Sequence, residues 1–237
     1  MARTIVILQS NYLPWRGYFD LMRRADLFVL LDVVQFTKND WRNRNIIRTP
    51  VGPKWLTIPV RASLGDATPI DKVTIADGLW ARKHIKSLQQ NYSRAAAYNE
   101  TAPWLFAEIE AVAEQTRLSA VNMRLLAALA GRLGIGTQII DSTELLPREV
   151  IIPAERSARL VHLCRAAGAT RYLSGPAAKA YLDVSLFHAH GIAVGWMSYE
   201  GYPPYAQLGD SFDPKVSIVD LLLNTGVAAP NYLLPFV

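Results

Sequence analysis

The chain has 237 residues, of which 51% are hydrophobic, so it can bury a large core. Its one cysteine, Cys164, excludes an intrachain disulfide and is predicted to be a buried helical thiol. The formal net charge of +5 favours anionic partners such as nucleotides, nucleotide sugars, coenzyme A, RNA or an acidic membrane surface. The apolar run at the amino terminus is too short for a signal peptide, and no apolar run reaches about 18 residues. We therefore expect a cytoplasmic protein without membrane insertion.

Short apolar runs alternate with amphipathic segments along the whole chain. The runs predict strands at residues 5–8, 27–31, 55–60, 72–76, 137–141, 170–175 and 192–199, with a loop at 62–71. The amphipathic segments predict helices from residue 20 onward and at 80–95, 103–114, 119–133, 153–167, 177–182, 184–191 and 217–226. Alternating strands and helices indicate a layered α/β fold with a largely parallel sheet. We predict a single α/β domain over residues 1–237, with a helical insertion around 79–133.

Two polar loops follow the first two predicted strands. Both leave the carboxyl ends of strands, the edge of an open α/β sheet where ligands bind. From the first loop we predict six residues that bind substrate: Gln9, Asn11, Tyr12, Trp15, Gly17 and Tyr18. From the second loop we predict Gln35, Trp41, Arg42, Asn43 and Arg44.

Arg42 and Arg44 are the predicted anion-binding residues of the second loop. They alternate with Asn43 and Asn45 after Trp41, in a segment that the pattern assigns to a loop. A guanidinium group offers paired donors that match the oxygens of phosphate or carboxylate, whereas a general surface charge would as often be lysine. Plain surface charge stays open as the alternative for each basic residue of this region.

The carboxyl half contributes a second set of candidates. Ser174 and Gly175 end a predicted strand and open a helix, so their backbone N–H groups, with Lys179 one turn later, are predicted to bind an anion. An ordinary helix N-cap is the equal alternative. Glu200 lies in an aromatic loop and is, with Asp32, a candidate for proton transfer. The chain lacks the spaced histidine and cysteine sets of a zinc site, so we predict no metal and no cofactor.

Several spaced motifs resemble the WbqC-like family, whose members commonly lie in bacterial gene clusters for lipopolysaccharide and other surface glycans. The resemblance rests on these residues: Gln9, Tyr12, Pro14, Trp15, Gly17, Tyr18, Phe19, Asp32, Gln35, Phe36, Trp41, Asn43, Arg44, Trp55, Leu56, Thr57 and Pro59. A second set in the carboxyl half is Tyr172, Leu173, Ser174, Gly175, Ala178 and Tyr181. The match therefore spans most of the chain.

The turn at residues 15–18 also looks like the HxGH turn of class I nucleotidylyltransferases and pantothenate synthetases. This likeness implies a Rossmann-type topology for the amino-terminal part. Trp15 and Tyr18 stand where those enzymes have histidines. Neither residue offers an imidazole near neutral pH, so the likeness implies the topology and leaves nucleotidyl transfer open.

Together, these features and the resemblance predict a transferase of bacterial surface-glycan biosynthesis that binds an anionic, nucleotide-linked substrate. In its most concrete form it transfers an acyl or aminoacyl group, from a coenzyme A ester or an aminoacyl-tRNA, to an amino sugar, with Asp32 or Glu200 moving the proton. The alternative is a non-catalytic module that binds nucleic acid or a carrier, although no RRM, KH or helix-turn-helix signature is present. We also expect the two loops and the Ser174 turn to meet in one cleft.

Overall fold

A computed structural model describes residues 3–62, 67–209 and 211–235. Its strands are β1 Thr4–Leu8, β2 Leu27–Leu30, β3 Arg44–Thr49, β4 Gly52–Thr57, β5 Val60–Arg61, β6 Thr74–Ile75, β7 Gln138–Asp141, β8 Arg171–Ser174 and β9 Ala193–Trp196. Its α-helices are α1 Arg16–Arg23, α2 Trp80–Tyr92, α3 Tyr98–Ala111, α4 Leu118–Arg132, α5 Arg148–Ile151, α6 Arg156–Ala166, α7 Val184–Ala189 and α8 Ile218–Thr225. Short 3-10 turns lie at Ile70–Lys72, Ser142–Glu144, Pro176–Ala180 and Gly226–Tyr232.

Five strands form one sheet in the order β7-β2-β1-β8-β9, and every neighbouring pair is parallel. The chain builds outward from β1 to β2 and β7, then crosses over and builds in the other direction through β8 and β9. The order therefore reverses between β1 and β8, which is the topological switch point of a Rossmann-like sheet. The predicted layered α/β fold with a largely parallel sheet is confirmed.

Helices cover both faces of the sheet, which explains why β2 is buried along its whole length. On one face Val6 and Phe28 belong to an apolar cluster with residues of α1 to α4 and α8. On the other face Ile5 and Val29 pack with residues of α6 and α7. Cys164 of α6 is buried there, and burial raises the pKa of its thiol to about 12. It is a core thiol, as its apolar neighbours predict.

The predicted third strand at residues 55–60 is wrong in its bounds and its partner. The chain forms β4 up to Thr57 and a separate strand, β5, from Val60, and β4 pairs antiparallel with β3 in a hairpin outside the central sheet. The predicted loop at residues 42–45 is wrong as well, since Arg44 begins β3. Two of the buried positions of β3 hold polar residues, Asn45 and Thr49. The alternation of buried and exposed positions is therefore not visible as an alternation of apolar and polar residues in the sequence.

Two further boundaries differ from the sequence pattern. Helix α1 begins at Arg16, four residues before the predicted start, so most of the turn at 15–18 is helical. Helix α3 begins at Tyr98 and includes Pro103, which the pattern took as its first residue. The predicted loop at 62–71 lies partly outside the described residues.

The segment predicted as a helical insertion contains α2, α3 and α4. Their buried residues, including Leu88, Leu105 and Leu125, share one apolar cluster with Val6 of the central sheet. The helices therefore pack directly on the sheet. A single domain with an insertion stays a prediction. Within the described ranges, no helix is both long and apolar enough to cross a bilayer.

Candidate functional site

A cavity of about 660 Å³ opens at the carboxyl ends of β1, β2 and β8, beside the switch point of the sheet. This volume lies within the ~300–1,000 Å³ typical of small-molecule sites. Its polar lining consists of Gln9, Gln35, Thr37, Asp40, Arg42, Arg156, Arg159, Tyr172, Ser174 and Tyr181. Its apolar lining consists of Ile7, Leu8, Leu31, Val33, Val34, Ala67, Pro69, Ile152 and Leu160. Four predicted residues, Gln9, Gln35, Arg42 and Ser174, therefore line one cavity.

Arg42 is held in place by side chains of both polar loops. Its guanidinium donates from Nη2 to Oε1 of Gln9 at 2.9 Å and from Nη1 to Oδ1 of Asn11. Nη2 also lies 3.5 Å from Oδ2 of Asp40, while Nε has no hydrogen-bond partner among the described residues. Two neutral side-chain oxygens orient the guanidinium, and the Asp40 carboxylate at 3.5 Å offsets part of its charge, so the remaining positive charge is available to a ligand.

A fully buried polar layer supports the loop that carries these side chains. Oδ1 of Asp32 accepts a hydrogen bond from the backbone N–H of Ser10 at 2.8 Å. The side-chain amide of Asn122 donates to Oγ of Ser10 at 3.0 Å and to the carbonyl oxygen of Arg42 at 2.8 Å. Helix α4 thus fixes the spacing of the two polar loops. Sequence reasoning missed Ser10 and Asn122, because the contact joins positions far apart in the chain.

Asp32 lies beneath the cavity rather than on its wall, with 1% of its surface exposed. Burial raises the pKa of its carboxyl to about 6, against the opposing effect of the hydrogen bonds from Ser10. Nearby Asp141 raises this pKa further, and Arg42 lowers it. The geometry suits a group that holds the first loop, and the carboxyl would need a movement of that loop to reach a ligand.

The opposite wall of the cavity comes from the start of α6. The guanidinium of Arg156 lies 4.7 Å from the ring centroid of Tyr181. Arg159 donates to the carbonyl oxygens of Ile151, Ile152 and Ala154 at 2.8–2.9 Å, and burial lowers its pKa. Arg159 therefore fixes the segment that precedes α6. The N–H groups of Arg156 donate no hydrogen bond to any described residue. The sequence pattern gave no reason to single out either arginine.

Ser174 ends β8 at the cavity, where its Oγ lies 3.4 Å from the hydroxyl of Tyr172. The following segment, Pro176–Ala180, is a 3-10 turn rather than the predicted α-helix, so it lacks a long helix dipole. Gly175 makes room for a neighbouring ring, since a Cβ there would lie 3.3 Å from the hydroxyl oxygen of Tyr199. Ser174 thus offers a hydroxyl to the cavity, while Gly175 serves the packing behind it.

Tyr12 and Asn43 lie in the core and not on the cavity wall. The Tyr12 hydroxyl lies 2.8 Å from Nδ1 of His84, whose Nε2 lies 3.1 Å from the carbonyl oxygen of Thr57. Burial lowers the pKa of His84 to about 4, so its ring is neutral at pH 7. A carbonyl only accepts, so Nε2 carries the proton and Nδ1 accepts from Tyr12. The Asn43 amide donates to the carbonyl oxygen of Ile58 at 2.9 Å.

Trp15, Gly17 and Tyr18 build the packing below the first loop. The Trp15 indole contacts Tyr199 with ring centroids 5.0 Å apart, and a Cβ at position 17 would overlap that indole. The Tyr18 hydroxyl donates to the carbonyl oxygen of Gln9 at 3.0 Å. The residues at the two histidine positions of an HxGH turn are therefore parts of an aromatic core.

Glu200 and Lys179 lie away from this cavity. Glu200 lines a second cavity of about 720 Å³ with Arg171, Leu173 and Trp196. Leu173 and its neighbour Tyr172 point to opposite faces of β8, so the second cavity lies on the face opposite to the switch-point cavity. Nζ of Lys179 lies 5.7 Å from the ring centroid of Trp196. The two candidates for proton transfer, Asp32 and Glu200, do not share a site.

Trp41 and Arg44 also lie outside the cavity. Trp41 precedes β3, Arg44 begins β3, and both contact Trp55 of β4. The predicted convergence of both loops with the Ser174 turn therefore holds for Gln9, Gln35, Arg42 and Ser174. It does not hold for Tyr12 and Asn43, which are buried elsewhere.

The fold and the site define an α/β protein with an all-parallel Rossmann-like sheet and an arginine-lined cavity at the switch point. The chain belongs to the WbqC-like protein family, whose model matches residues 9–232. It is 44% identical over 232 residues to the uncharacterized protein Rv1507c of Mycobacterium tuberculosis (strain ATCC 25618 / H37Rv). That match covers 98% of this chain and 97% of the relative. No solved structure matches the chain. The family that the motifs predict is confirmed.

Proposed function

We propose that the protein binds an anionic, nucleotide-linked small molecule in the switch-point cavity. The observation that carries the proposal is the charge of the wall. Three guanidinium groups, those of Arg42, Arg156 and Arg159, face one described carboxylate, that of Asp40. Guanidinium groups bind phosphate oxygens through charge-assisted hydrogen bonds, which are about twice as strong as neutral ones. Parallel α/β sheets bind nucleotide-type ligands at this position of the fold.

Within this proposal the side chains have separate roles. Arg42 and Arg156 bind the phosphate groups, because their guanidinium groups are held at opposite walls with N–H donors to spare. Gln9 and Ser174 contact the neutral part of the ligand. Among the described residues, Asp40 supplies the carboxylate on the wall, and we assign it the proton transfer for which the sequence offers Asp32 and Glu200.

The reaction that we propose is a group transfer in bacterial surface-glycan biosynthesis, of the lipopolysaccharide type, in the cytoplasm. An acyl or aminoacyl group passes from a coenzyme A ester or an aminoacyl-tRNA to the amino group of a nucleotide-linked sugar. A new amide bond forms and the thioester or ester bond breaks. Asp40 accepts the amine proton and passes it to the leaving group, which departs as the coenzyme A thiol or the tRNA hydroxyl. The resemblance to proteins from surface-glycan gene clusters supports this reaction, and the charge of the cavity supports a phosphate-bearing substrate.

The proposal is tested by ligand binding to wild-type protein and two arginine variants. Nucleotide sugars and coenzyme A esters are screened by thermal shift, and each ligand that raises Tm is titrated by calorimetry. Arg42→Gln and Arg156→Gln should each weaken binding by about 1.5–3 kcal/mol, the contribution of a hydrogen bond to a charged group. Arg165→Gln is the matched control, since this exposed arginine lies on the same helix as Arg156 and away from the cavity. Equal losses in all three variants would contradict a site in this cavity.

A further inference from the structure

Two exposed tryptophans contact each other, Trp41 just before β3 and Trp55 on β4. Trp41 is 43% exposed and Trp55 is 42% exposed, and their ring centroids lie 5.4 Å apart at an interplanar angle of 36°. The Arg44 guanidinium lies 4.1 Å from the centroid of the Trp55 ring. We call Trp41, Arg44 and Trp55 the tryptophan surface. Exposed single apolar residues are common, but adjacent exposed tryptophans with an arginine have the composition of a binding surface.

The hairpin holds this surface in one arrangement. Trp55 pairs with Ile46 across the strands, so both side chains stand on the outer face. Arg44 donates from Nη2 to the carbonyl oxygen of Asn39 at 2.5 Å and from Nη1 to Oδ1 of Asn39 at 3.4 Å. Asn39 has φ 63, a left-handed conformation that asparagine tolerates. The surface is thus formed before any ligand binds.

The tryptophan surface is continuous with the switch-point cavity along the chain. Asp40 and Arg42 line the cavity, and Trp41 lies between them, with successive Cα atoms about 3.8 Å apart. The Trp41 carbonyl oxygen accepts a hydrogen bond from the Tyr12 backbone N–H at 3.0 Å, which fixes this part of the loop. A ligand with a phosphate on Arg42 can therefore extend over the edge of the cavity to the indole rings.

The charge around the surface identifies the kind of ligand group. Residues 36–57 contain five basic side chains and one acidic side chain, Asp40. A neutral sugar ring can stack on tryptophan but gains nothing from this excess of positive charge. A nucleobase gains from both features, because its π-face stacks on indole and it is linked to phosphate.

We infer that the tryptophan surface is a base-binding subsite, on which the nucleobase of the ligand stacks while its phosphate contacts Arg42. This inference rests on the proposed function and adds the position and chemistry of base recognition. Stacking on aromatic side chains tolerates every base, so the subsite recognises a nucleotide as a class. Groups inside the cavity then select the rest of the ligand.

The test compares AMP and UMP with ribose 5-phosphate, which lacks the base. Titrations by calorimetry should give at least one nucleotide an affinity about 5- to 150-fold above that of ribose 5-phosphate, the range expected for one stacked base. Trp41→Leu and Trp55→Leu, which keep an apolar side chain without a π-face, should remove this preference and leave ribose 5-phosphate binding unchanged. Trp41→Phe should keep part of it. Trp104→Phe, at another arginine-contacted tryptophan on α3, is the matched control and should change nothing.

Each other outcome has a definite meaning. Nucleotide binding that needs Arg42 but shows no base preference overturns the subsite and leaves the proposed function standing. AMP, UMP and ribose 5-phosphate share the phosphate, so Arg42→Gln should weaken the binding of all three alike. Nucleotide binding that the leucine variants weaken and Arg42→Gln leaves unchanged supports base stacking on the tryptophan surface and overturns the phosphate contact to Arg42, and with it the cavity proposal. No nucleotide binding at all overturns the subsite. Tight binding of single-stranded RNA without mononucleotide binding also overturns it, in favour of a polynucleotide surface.

Discussion

Replacing Asp32 with asparagine should flatten the pH dependence of stability between about pH 4 and pH 6. The folded protein holds the pKa of this carboxyl at about 6, against an ordinary value of 3.8, chiefly because the group is buried. The folded state therefore binds the proton more readily than the unfolded chain, so the stability contributed by this group falls as pH rises through that window. One pKa unit corresponds to ~1.36 kcal/mol, and because pH 4 already lies just above the ordinary pKa of 3.8, the loss between pH 4 and pH 7 is about 2 kcal/mol.

The measurement is urea unfolding at pH 4, 5, 6 and 7, for wild type and Asp32→Asn. The difference in unfolding free energy between the two proteins should change by about 2 kcal/mol across this range, whatever its constant offset. Ser10→Ala gives an independent check, because hydrogen bonds from Ser10 lower the pKa of Asp32. Loss of the hydroxyl should move the window to higher pH. Parallel stability curves for wild type and Asp32→Asn would refute a perturbed carboxyl under the site.

Three further results are expected. Asp220→Ala should lower the unfolding free energy by about 3–5 kcal/mol, because the buried carboxylate accepts hydrogen bonds from the Tyr92 and Tyr205 hydroxyls at 2.7 Å each. A loss of unfolding free energy below about 1 kcal/mol in urea would contradict this role. Gly17→Ala lies within α1, where alanine favours a helix by about 1 kcal/mol relative to glycine, but the new Cβ overlaps the Trp15 indole. Calorimetric melting should therefore show net destabilisation. A raised Tm would show that the indole moves freely. Nucleotide affinity should fall less than about tenfold between 0.05 and 0.2 M salt, whereas RNA held by many phosphate contacts would lose far more.

The parallel sheet was predictable because its signal is local. Strands such as β1 and β2 are short continuous apolar runs, and helices on both faces leave no polar position in them. The edge at which Gln9 and Arg42 meet Ser174 follows from that sheet, since side chains that leave parallel strands in the same sense share one edge. The position of the site in the fold could thus be predicted from the sequence, without any knowledge of side-chain contacts.

The roles of individual polar residues were not predictable in the same way. Tyr12 stands in a polar loop and resembles a binding residue, but its hydroxyl pairs with His84, 72 positions later. Arg156 reads as ordinary surface charge until the fold places it opposite Arg42. Such contacts depend on tertiary packing. The periodic spacing of apolar residues in a sequence carries no information about which polar side chains contact each other.

Arg42 and Arg44 illustrate how two residues of one motif come to serve different ends. Side chains two positions apart point the same way within a strand, but β3 begins at Arg44, so Arg42 lies before that alternation starts. Arg42 turns to Gln9 and the cavity, whereas Arg44 turns to Trp55 on the outer face of the hairpin. A ligand that spans both would contact a phosphate-binding arginine and a base-stacking surface through one short stretch of chain. The order of residues in the motif, with Trp41 next to Arg42, is the order that such a ligand requires.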